Sequence, residues 1–419
     1  MIVYKFGGAS VKSPDGIRHI AEIVSDVKEN LFVVVSAMGK TTNALEVVLD
    51  CFMKADKKGA IQKLEEIEKY HYNTINNIFQ NKETGMNTVK LSFSELYNYI
   101  NLEVGDDYDR WYDQLVSYGE IISTKIVSAY LSESGIVNQW LDMRQLLITD
   151  SNFREANVNI SESGKRMKKS VDFSQNQIYI GQGFIGANIQ GKPTTLGREG
   201  SDYTAAVVGY LLDAESVSIW KDVPGVLNAD PRIFANTVHI PQLTYKDAVE
   251  LAFSGAQIIH PKTIKPLENK QIPLFVRPFE HPEEKGSIIK SHIDQPINVP
   301  VLILRKNQVL VTLRPMDFSF VLEESLSRIF TAVEKHRLKV SLIQSSAVSI
   351  SICVDDTRYL PAALDELAGG FQVNYNKNLE LLTIRGINND IINETTKDRE
   401  IILQQRTRRI ARFVLRNND

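Results

Sequence analysis

The sequence predicts an α/β protein in which a mostly parallel central sheet, flanked by helices, is followed by a ferredoxin-like βαββαβ region. In the first part, short runs of β-forming residues alternate with helical repeats and end at glycine turns, which is typical of parallel βαβ units. In the last part, strands and helices follow in the order βαββαβ between residues 309 and 384. Residues 280–300 lie between them and are rich in proline and charge, which predicts a linker.

The composition is that of an ordinary globular protein. The chain has 419 residues, which at about 150 residues per domain predicts roughly two or three domains. Hydrophobic residues make up 43% and charged residues 24%, so a sizeable core can form. Lysine and arginine total 48 against 51 acidic residues, giving a net charge of -3 and no broad basic field for nucleic acid or anionic lipid.

Targeting and redox features are also absent from the sequence pattern. No apolar run approaches the ~20 residues that span a bilayer, and the first residues lack the features of a signal peptide. Cys51 and Cys353 are far apart and lack metal-ligand spacing, which argues against a disulfide or zinc framework. We therefore expect a soluble, cytoplasmic protein with no membrane or nucleic-acid partner.

The N-terminal elements begin with a strand, a helix and a second strand. Residues 2–6 and 31–35 are β-rich, and apolar residues recur at helical spacing from Ile17 to Val27 between them. Residues 43–135 read as mostly helical, with one helix predicted from 115 to 131. Two strands joined by a helix in this way are expected to lie parallel in one sheet.

The alternation of strands and helices returns near residue 178. The predicted elements are a strand at 178–180, a helix at 203–212, and strands at 217–220 and 272–276. Beyond the linker, the predicted order is strand 309–313, helix 320–336, strands 340–343 and 348–354, helix 359–367, and strands 371–373 and 379–384.

The tail is rich in arginine. These residues are Arg406, Arg408, Arg409, Arg412 and Arg416. They alternate with Ile410, Phe413 and Leu415, and the overall charge is close to neutral. We therefore favour the exposed face of a half-buried element over a nucleic-acid-binding stripe.

The first turn with chemical potential follows the first strand, at Lys5, Gly7 and Gly8. Paired glycines let backbone N–H groups approach an anion closely, and a neighbouring lysine can neutralise a phosphate. The alternative is a tight βα turn that merely contains glycine. The turn is not a Walker A loop, because Lys5 precedes the glycines.

Two further polar clusters follow. Ser36 to Asn43 comes directly after the second strand, where its hydroxyl groups can cap a helix or line a ligand site at the sheet edge. Ser117 to Glu120 lies within a helical pattern, where Glu120 by itself would be interpreted as a solvated surface charge.

The most informative cluster runs from Thr195 to Tyr203 and opens a helix. Arg198 offers a planar fork that can bind a carboxylate with two hydrogen bonds, whereas Ser201 and Asp202 can also act as simple helix caps. Farther along, Lys221 and Arg232 can face phosphates, although isolated cations are more often solvated.

Together these clusters resemble the aspartate kinases. The matching segments are KFGGAS from Lys5, SAMGKTTNAL from Ser36, SYGE from Ser117, GFIGAN from Gly183, TTLGREGSDYTAA from Thr194, WKDVPGV from Trp220, ADPR from Ala229 and GAQIIHP from Gly255. They occur in the family's order and at its approximate spacing. The resemblance is dense over residues 1–290 and looser beyond.

The resemblance implies an amino-acid-kinase catalytic domain over residues 1–290. It also implies an ACT-type regulatory region over 300–419, with one recognisable ACT unit, a truncated second unit that includes residues 401–406, and a role in forming a homodimer. The implied activity is ATP-dependent phosphorylation of the L-aspartate side-chain carboxylate to 4-phospho-L-aspartate, the first step toward lysine, diaminopimelate, threonine and methionine.

The same resemblance implies roles for individual residues. The implied catalytic residues are Lys5 and Asp202; the aspartate-binding residues are Thr42, Glu120, Phe184, Arg198 and Ser201; and the ATP-binding residues are Lys5, Gly7, Gly8, Ser36, Lys221, Asp222, Arg232 and Gln257. Mg²⁺ is expected to bridge the phosphates with few direct protein ligands, so no protein metal site is assigned.

The sequence departs from the family pattern at four positions. Ala9 replaces a threonine and Gln257 a lysine in the kinase motifs, which removes a hydroxyl group and a positive charge from the implied ATP-binding set. Ser341 and Ala347 replace an aspartate and a glutamate in the ACT-type segment. Two alternatives stay open: an amino-acid kinase with another carboxylate substrate, and a catalytically weak amino-acid sensor of the same fold, which the changes at Ala9 and Gln257 motivate.

Overall fold

A computed structural model describes residues 1–103, 105, 107–256, 259–294, 297–316, 323–386 and 389–417. The described residues form two compact units. Unit 1 lies within Met1–Val226, His239–Val249 and Ile258–Pro296, and unit 2 lies within Leu227–Val238, Glu250–Gln257 and Ile297–Asp419. The functional division into residues 1–290 and 300–419 stays a prediction.

The bounds of the elements follow the chain. Up to residue 290, the strands are β1 (Ile2–Phe6), β2 (Leu31–Val35), β3 (Gln139–Leu141), β4 (Ile148–Thr149), β5 (Ile178–Gln182), β6 (Ile185–Asn188), β7 (Pro193–Thr195), β8 (Ser216–Lys221), β9 (Val226–Leu227), β10 (His239–Ile240), β11 (Gln242–Thr244), β12 (Leu274–Pro278) and β13 (Ser287–Lys290). The helices of this part are α1 (Pro14–Ser25), α2 (Thr41–Met53), α3 (Lys57–Ile78), α4 (Lys82–Ile100), α5 (Tyr108–Val116), α6 (Tyr118–Glu133), α7 (Met143–Leu146), α8 (Ile160–Ser170), α9 (Gly200–Leu211), α10 (Tyr245–Ser254) and α11 (Pro261–Lys270). From residue 301, the elements are β14 (Val301–Pro315), α12 (Glu323–Lys335), β15 (Val340–Ser345), β16 (Ile350–Asp355), α13 (Leu360–Ala368), β17 (Phe371–Arg385), α14 (Asn389–Thr396), β18 (Arg399–Arg406) and β19 (Ile410–Asn417).

The main sheet of unit 1 has the strand order β11-β13-β12-β8-β1-β2-β5-β3. Its neighbouring strands are parallel except for the β12–β13 pair. All five residues of β2 are buried, as expected for a parallel strand that is covered on both faces. The prediction of a mostly parallel central sheet flanked by helices is confirmed.

The first crossover helix illustrates how local sequence builds this unit. Ser13 caps α1 by accepting a hydrogen bond from the Gly16 N–H, and Pro14 occupies the first turn. The apolar side chains of Ile17, Ile20 and other residues of the same face are buried in the core. The helix predicted between the first two strands is therefore confirmed.

Two sequence predictions for this part are wrong. Residues 280–300 are not simply a linker, because they contain β13, which pairs with β12 and β11. Its alternating burial spans only four residues, and so short a pattern among charged residues and prolines does not predict a strand. The helix predicted from 115 to 131 is instead the end of α5 and most of α6, which meet at Ser117.

Unit 2 is built on a sheet with the order β15-β16-β14-β17-β19-β18. The elements β14, α12, β15, β16, α13 and β17 have the βαββαβ order, and their antiparallel strands β17-β14-β16-β15 are arranged as in a ferredoxin-like fold. Apolar residues of α12, α13 and the sheet form one core. This prediction is confirmed.

The C-terminal strands differ in extent from the prediction. The strands predicted at 371–373 and 379–384 are one continuous strand, β17, whose polar middle is exposed but still pairs with β14. The arginine-rich tail forms β19, in which Phe413 and Leu415 are buried and Arg412 and Arg416 are partly exposed. Within the described part of the chain, no helix is long and apolar enough to cross a membrane.

Candidate active site

Three parallel strands of unit 1 end side by side at the carboxyl edge of the sheet. β1 pairs with β2 on one side and β8 on the other, so that Lys5 is level with Val34 and Ile219. Ser36 directly follows β2, and Lys221 ends β8. Open α/β sheets bind their ligands outside this edge, which makes it the candidate site.

An ion-pair cluster of Lys5, Asp202 and Lys221 lies at this edge. The Nζ atom of Lys5 is 2.6 Å from Oδ1 of Asp202, and Nζ of Lys221 is 3.5 Å from Oδ2. Lys5 is 8% exposed and Asp202 3%. Burial alone would raise the pKa of Asp202, but the two ammonium groups outweigh it and hold the pKa below its ordinary value. The ionised carboxylate therefore positions two cations.

Two tight turns contact each other beside this cluster. A Cβ atom on Gly8 would lie 2.8 Å from the carbonyl oxygen of Ala37 and 3.0 Å from that of Gly39, so a larger residue would clash. The Gly39 N–H donates to the carbonyl oxygen of Gly8 at 3.0 Å. A Cβ atom on Gly7 would lie 3.5 Å from Nζ of Lys5. The backbone after β1 is thus held beside a lysine ammonium group.

The first turn of α6 brings a carboxyl group to the same turns. Glu120 is buried, and its Oε1 atom accepts a hydrogen bond from the Ala37 N–H at 3.3 Å. Among the described residues, its Oε2 atom has no hydrogen-bond partner. Burial raises the pKa of Glu120 to about 8, although the Ala37 N–H and the charge of Lys5 act to lower it. The interpretation of Glu120 as a solvated surface charge is therefore wrong.

The turn after β5 packs on the N-terminus of α9. A Cβ atom on Gly183 would lie 2.4 Å from Cβ of Ser201, and one on Gly200 would lie 2.6 Å from the ring of Phe184. The Phe184 N–H donates to Oγ1 of Thr204 at 3.0 Å. The two glycines permit this close approach, which brings Phe184 and Ser201 together next to Asp202.

Arg198 and Thr42 complete the predicted aspartate-binding set. Arg198 lies in the turn before α9 and is exposed, and within the described residues its guanidinium has no ion-pair partner. Thr42 is half-buried in the first turn of α2. A free guanidinium group of this kind can bind a carboxylate with two parallel hydrogen bonds.

Comparison with known proteins identifies the family. A model of the amino acid kinase family matches residues 1–278. Lysine-sensitive aspartokinase 3 of Escherichia coli K12 is 30% identical over 405 residues, which cover 92% of this chain and 87% of the relative. The chain belongs to the aspartokinases of the amino acid kinase family. The resemblance found in its motifs is thereby confirmed.

Other aspartokinases agree with this assignment. Aspartokinase 1, chloroplastic, of Arabidopsis thaliana is 31% identical over 371 residues, which cover 85% of this chain and 63% of the relative. The solved structure of E. coli aspartokinase III in complex with aspartate and ADP (R-state) has a TM-score of 0.88 and 28% identity, and covers 99% of this chain and 96% of that one. The lysine and aspartate complex (T-state) has a TM-score of 0.78 and 27% identity, with 99% and 95% covered.

Three of the implied ATP-binding residues are not brought to the ion-pair cluster by the contacts described above. Asp222 follows β8 and is exposed. Arg232 belongs to unit 2, where its guanidinium forms an ion pair with Asp230 at 2.7 Å. Gln257 lies outside the described residues.

Two residues outside the predicted set contact the turns that carry the predicted site residues. The hydroxyl of Tyr70 donates to the carbonyl oxygen of Lys12 at 2.5 Å and lies 3.1 Å from where a Cβ atom on Gly39 would be. Asp113 is fully buried and accepts hydrogen bonds from Arg154 and Thr195. Neither residue belongs to a motif, so no local sequence signal marks it.

Proposed function

We propose that this protein transfers the γ-phosphoryl group of ATP to the side-chain carboxylate of L-aspartate, forming 4-phospho-L-aspartate and ADP. The observation that carries the proposal is the buried ion-pair cluster between the two glycine turns and the start of α9. A relative named aspartokinase, and an aspartokinase III structure with aspartate and ADP, support this substrate pair. The product would enter the pathway toward lysine, threonine and methionine.

The reaction needs charge neutralisation more than proton transfer. The attacking carboxylate has an ordinary pKa of ~4 and is already ionised at neutral pH, so no general base is required. An oxygen of this carboxylate forms a bond to the γ-phosphorus while the bond to the β–γ bridging oxygen breaks. We assign Lys5 to stabilise the negative charge on the transferred group, and Asp202 to hold the Lys5 ammonium in place.

The aspartate side of the site is assigned by charge. Arg198 binds the α-carboxylate through its exposed guanidinium, and Glu120 accepts the α-ammonium group at its Oε2 atom. Thr42, Phe184 and Ser201 complete the pocket. Because the α-carboxylate and the α-ammonium group are each bound by a side chain of opposite charge, the amino acid is fixed in one orientation. This orientation directs the side-chain carboxylate toward the phosphates.

The nucleotide side is assigned to backbone groups and cations. Gly7, Gly8 and Ser36 offer hydrogen bonds to phosphate oxygens, and Lys221 adds a second ammonium group beside Lys5. Asp222, Arg232 and Gln257 are proposed as ATP-binding residues on the family resemblance alone.

Magnesium fits this donor set only as a metal held by the nucleotide. Asp202 is engaged by two ammonium groups, and burial raises the pKa of Glu120 to about 8. We therefore propose that the ligands of Mg²⁺ are phosphate oxygens and water, since Mg²⁺ retains water readily. When bound, the metal would neutralise phosphate charge.

The test of the proposed function is trapping of the acyl phosphate. The purified protein is incubated with L-aspartate, ATP, Mg²⁺ and hydroxylamine, and aspartyl hydroxamate is measured. Hydroxamate formation that depends on both substrates supports the proposal. A folded protein that forms none would favour the amino-acid sensor, and ADP release with acetylglutamate, glutamate, carbamate or UMP instead would favour another amino-acid kinase.

Truncation of Arg198 is expected to weaken aspartate binding selectively. Charge-assisted hydrogen bonds contribute about 1.5–3 kcal/mol, so Arg198→Ala should raise the aspartate KM roughly 10- to 100-fold with a smaller change in kcat. Steady-state kinetics with varied aspartate measures this. Arg110→Ala, which truncates an exposed arginine of α5, is the control. An unchanged aspartate KM in Arg198→Ala would remove Arg198 from the site.

We further propose that residues 1–290 form the catalytic domain and residues 300–419 the ACT-type region through which two copies form a homodimer. After β17, the part of the chain that the structure describes contains one helix, α14, and two strands, β18 and β19. This is consistent with a truncated second module.

Feedback inhibition by lysine is expected to be weak or absent. An amino-acid effector needs an anion for its ammonium group, but Ser341 and Ala347 stand where the family pattern has acidic residues. Lysine at roughly 1 mM should leave activity essentially unchanged, which means that its Kd lies above this concentration and its binding free energy is weaker than about -4 kcal/mol. The double variant Ser341→Asp, Ala347→Glu should be more sensitive. Loss of wild-type activity in millimolar lysine or threonine would contradict the prediction.

A further inference from the structure

A buried carboxylate outside the motifs connects two chain segments that pack beside the turn carrying Arg198. Asp113 lies on α5 and is completely buried. Its Oδ2 atom accepts hydrogen bonds from the N–H groups of Arg154 at 3.0 Å and Thr195 at 2.8 Å. Its Oδ1 atom accepts from Oγ1 of Thr195 at 2.6 Å. All three partners are donors, which suits the ionised, acceptor-only form of the carboxylate.

These contacts hold the turn that carries Arg198. Thr195 is the last residue of β7, three positions before Arg198. A Cβ atom on Gly197 would lie 3.2 Å from the carbonyl oxygen of Arg154, so the backbone next to Arg198 packs directly on the segment that Asp113 also binds. The φ angles of Arg154 and Gly197 are +69° and +79°, both left-handed. Such conformations persist where surrounding contacts fix them.

The side chain of Arg154 extends the connection to α2. Its guanidinium lies 4.2 Å from the centre of the Tyr112 ring, and it forms an ion pair with Glu46 at 3.4 Å. Glu46 lies one helical turn after Thr42 on α2. The contacts of Asp113 and Arg154 thus connect α2, α5 and the turn before α9, which carry or adjoin three of the proposed aspartate-binding residues.

We propose that Asp113 is a positioning residue for aspartate recognition, which fixes the turn before α9 so that Arg198 meets the α-carboxylate of the substrate. The inference rests on the proposed function and adds a residue that does not touch substrate. Burial raises the pKa of Asp113 to about 6, although hydrogen bonds from Thr195 and Arg154 act to lower it. At about pH 7.5 the carboxyl group is therefore ionised and able to accept all three hydrogen bonds.

The variant that tests the proposal is Asp113→Asn. An asparagine of the same shape removes the negative charge, so its bonds to the two N–H groups are no longer charge-assisted, and its NH₂ group can face Thr195 only if the hydroxyl turns from donor to acceptor. We expect the aspartate KM to rise at least tenfold, with kcat and the ATP KM within threefold of wild type. Asp109→Asn is the matched control, since it removes an ion-pair partner of Arg154 on the same helix but leaves the Asp113 contacts intact.

Thr195→Val provides a second, milder test, because it removes only the hydroxyl donor to Asp113. It should raise the aspartate KM about threefold or more without an equal change in kcat. If circular dichroism shows that Asp113→Asn is not folded, Thr195→Val decides between the outcomes. An unchanged aspartate KM in a folded Asp113→Asn overturns the inference. A non-selective effect, in which kcat falls and the KM values for aspartate and ATP rise by similar factors, overturns it as well. Failure of the wild-type protein to form aspartyl hydroxamate would instead overturn the proposed function, and the inference with it.

Discussion

Replacing Lys5 by alanine is expected to lower kcat by about three orders of magnitude, the range seen when one preorganised electrostatic group is removed from an active site. The Lys5 ammonium group lies 2.6 Å from Asp202 at the carboxyl edge of the sheet and is almost completely buried. In that position we expect it to neutralise the transferred phosphoryl group with little competition from water. Both KM values should change less than kcat. Hydroxamate formation at saturating substrates measures the effect.

The control for this variant is Lys28→Ala, which removes an exposed lysine from the turn before β2, at the opposite edge of the sheet. It should retain wild-type turnover. Removal of Lys5 also leaves Asp202 with Lys221 as its remaining ion pair among the described residues, so folding must be checked by thermal denaturation. A folded Lys5→Ala protein with near-wild-type kcat would contradict the catalytic assignment.

Aspartate affinity is expected to rise with pH through about 8 because of Glu120. Burial raises the pKa of this carboxyl group from 4.5 to about 8, so in the free protein it is mainly neutral at pH 7. Only the ionised form attracts the substrate ammonium group. The aspartate KM should therefore fall as the pH increases from 7 to 8.5. Glu120→Gln should abolish this part of the pH dependence and raise the KM at pH 8.5 roughly 10- to 100-fold.

The same titration has a consequence for stability. A carboxyl group whose folded pKa lies above its unfolded pKa holds its proton more tightly in the folded protein. Its contribution to the free energy of unfolding is therefore largest below pH 4.5 and is lost as the pH rises toward 8. Glu120→Gln should raise the Tm of the free protein at pH 8.5, whereas Glu66→Gln on the exposed face of α3 should not.

A pH-independent aspartate KM in wild type would contradict the assignment of Glu120.

The sequence predicts the parts of this fold that depend on neighbouring residues. The turns at Lys5–Gly8 and Ser36–Gly39 are recognisable because glycine and small polar residues directly follow apolar strands. Since the carboxyl ends of parallel strands share one edge, these turns are expected together, and their backbones are in contact. The βαββαβ order of unit 2 is predictable for the same reason, because each element has its own apolar period.

Elements with a short or interrupted period are not predicted. β13 has only four residues, and the polar middle of β17 resembles a break although β14 pairs along it. Strand pairing satisfies backbone hydrogen bonds whatever the side chains are, so an exposed polar stretch can remain a strand.

By itself, the sequence determined the family pattern, the order of the elements and the side chains available at the sheet edge. Only the tertiary structure decided which of these side chains are buried and what they contact. Burial raises the pKa of Glu120, whose carboxyl group accepts a hydrogen bond from Ala37, 83 positions earlier, and Asp113 accepts hydrogen bonds from Thr195, 82 positions later. Burial and pairing depend on residues that are distant in the chain, and they set the charge and position of each group.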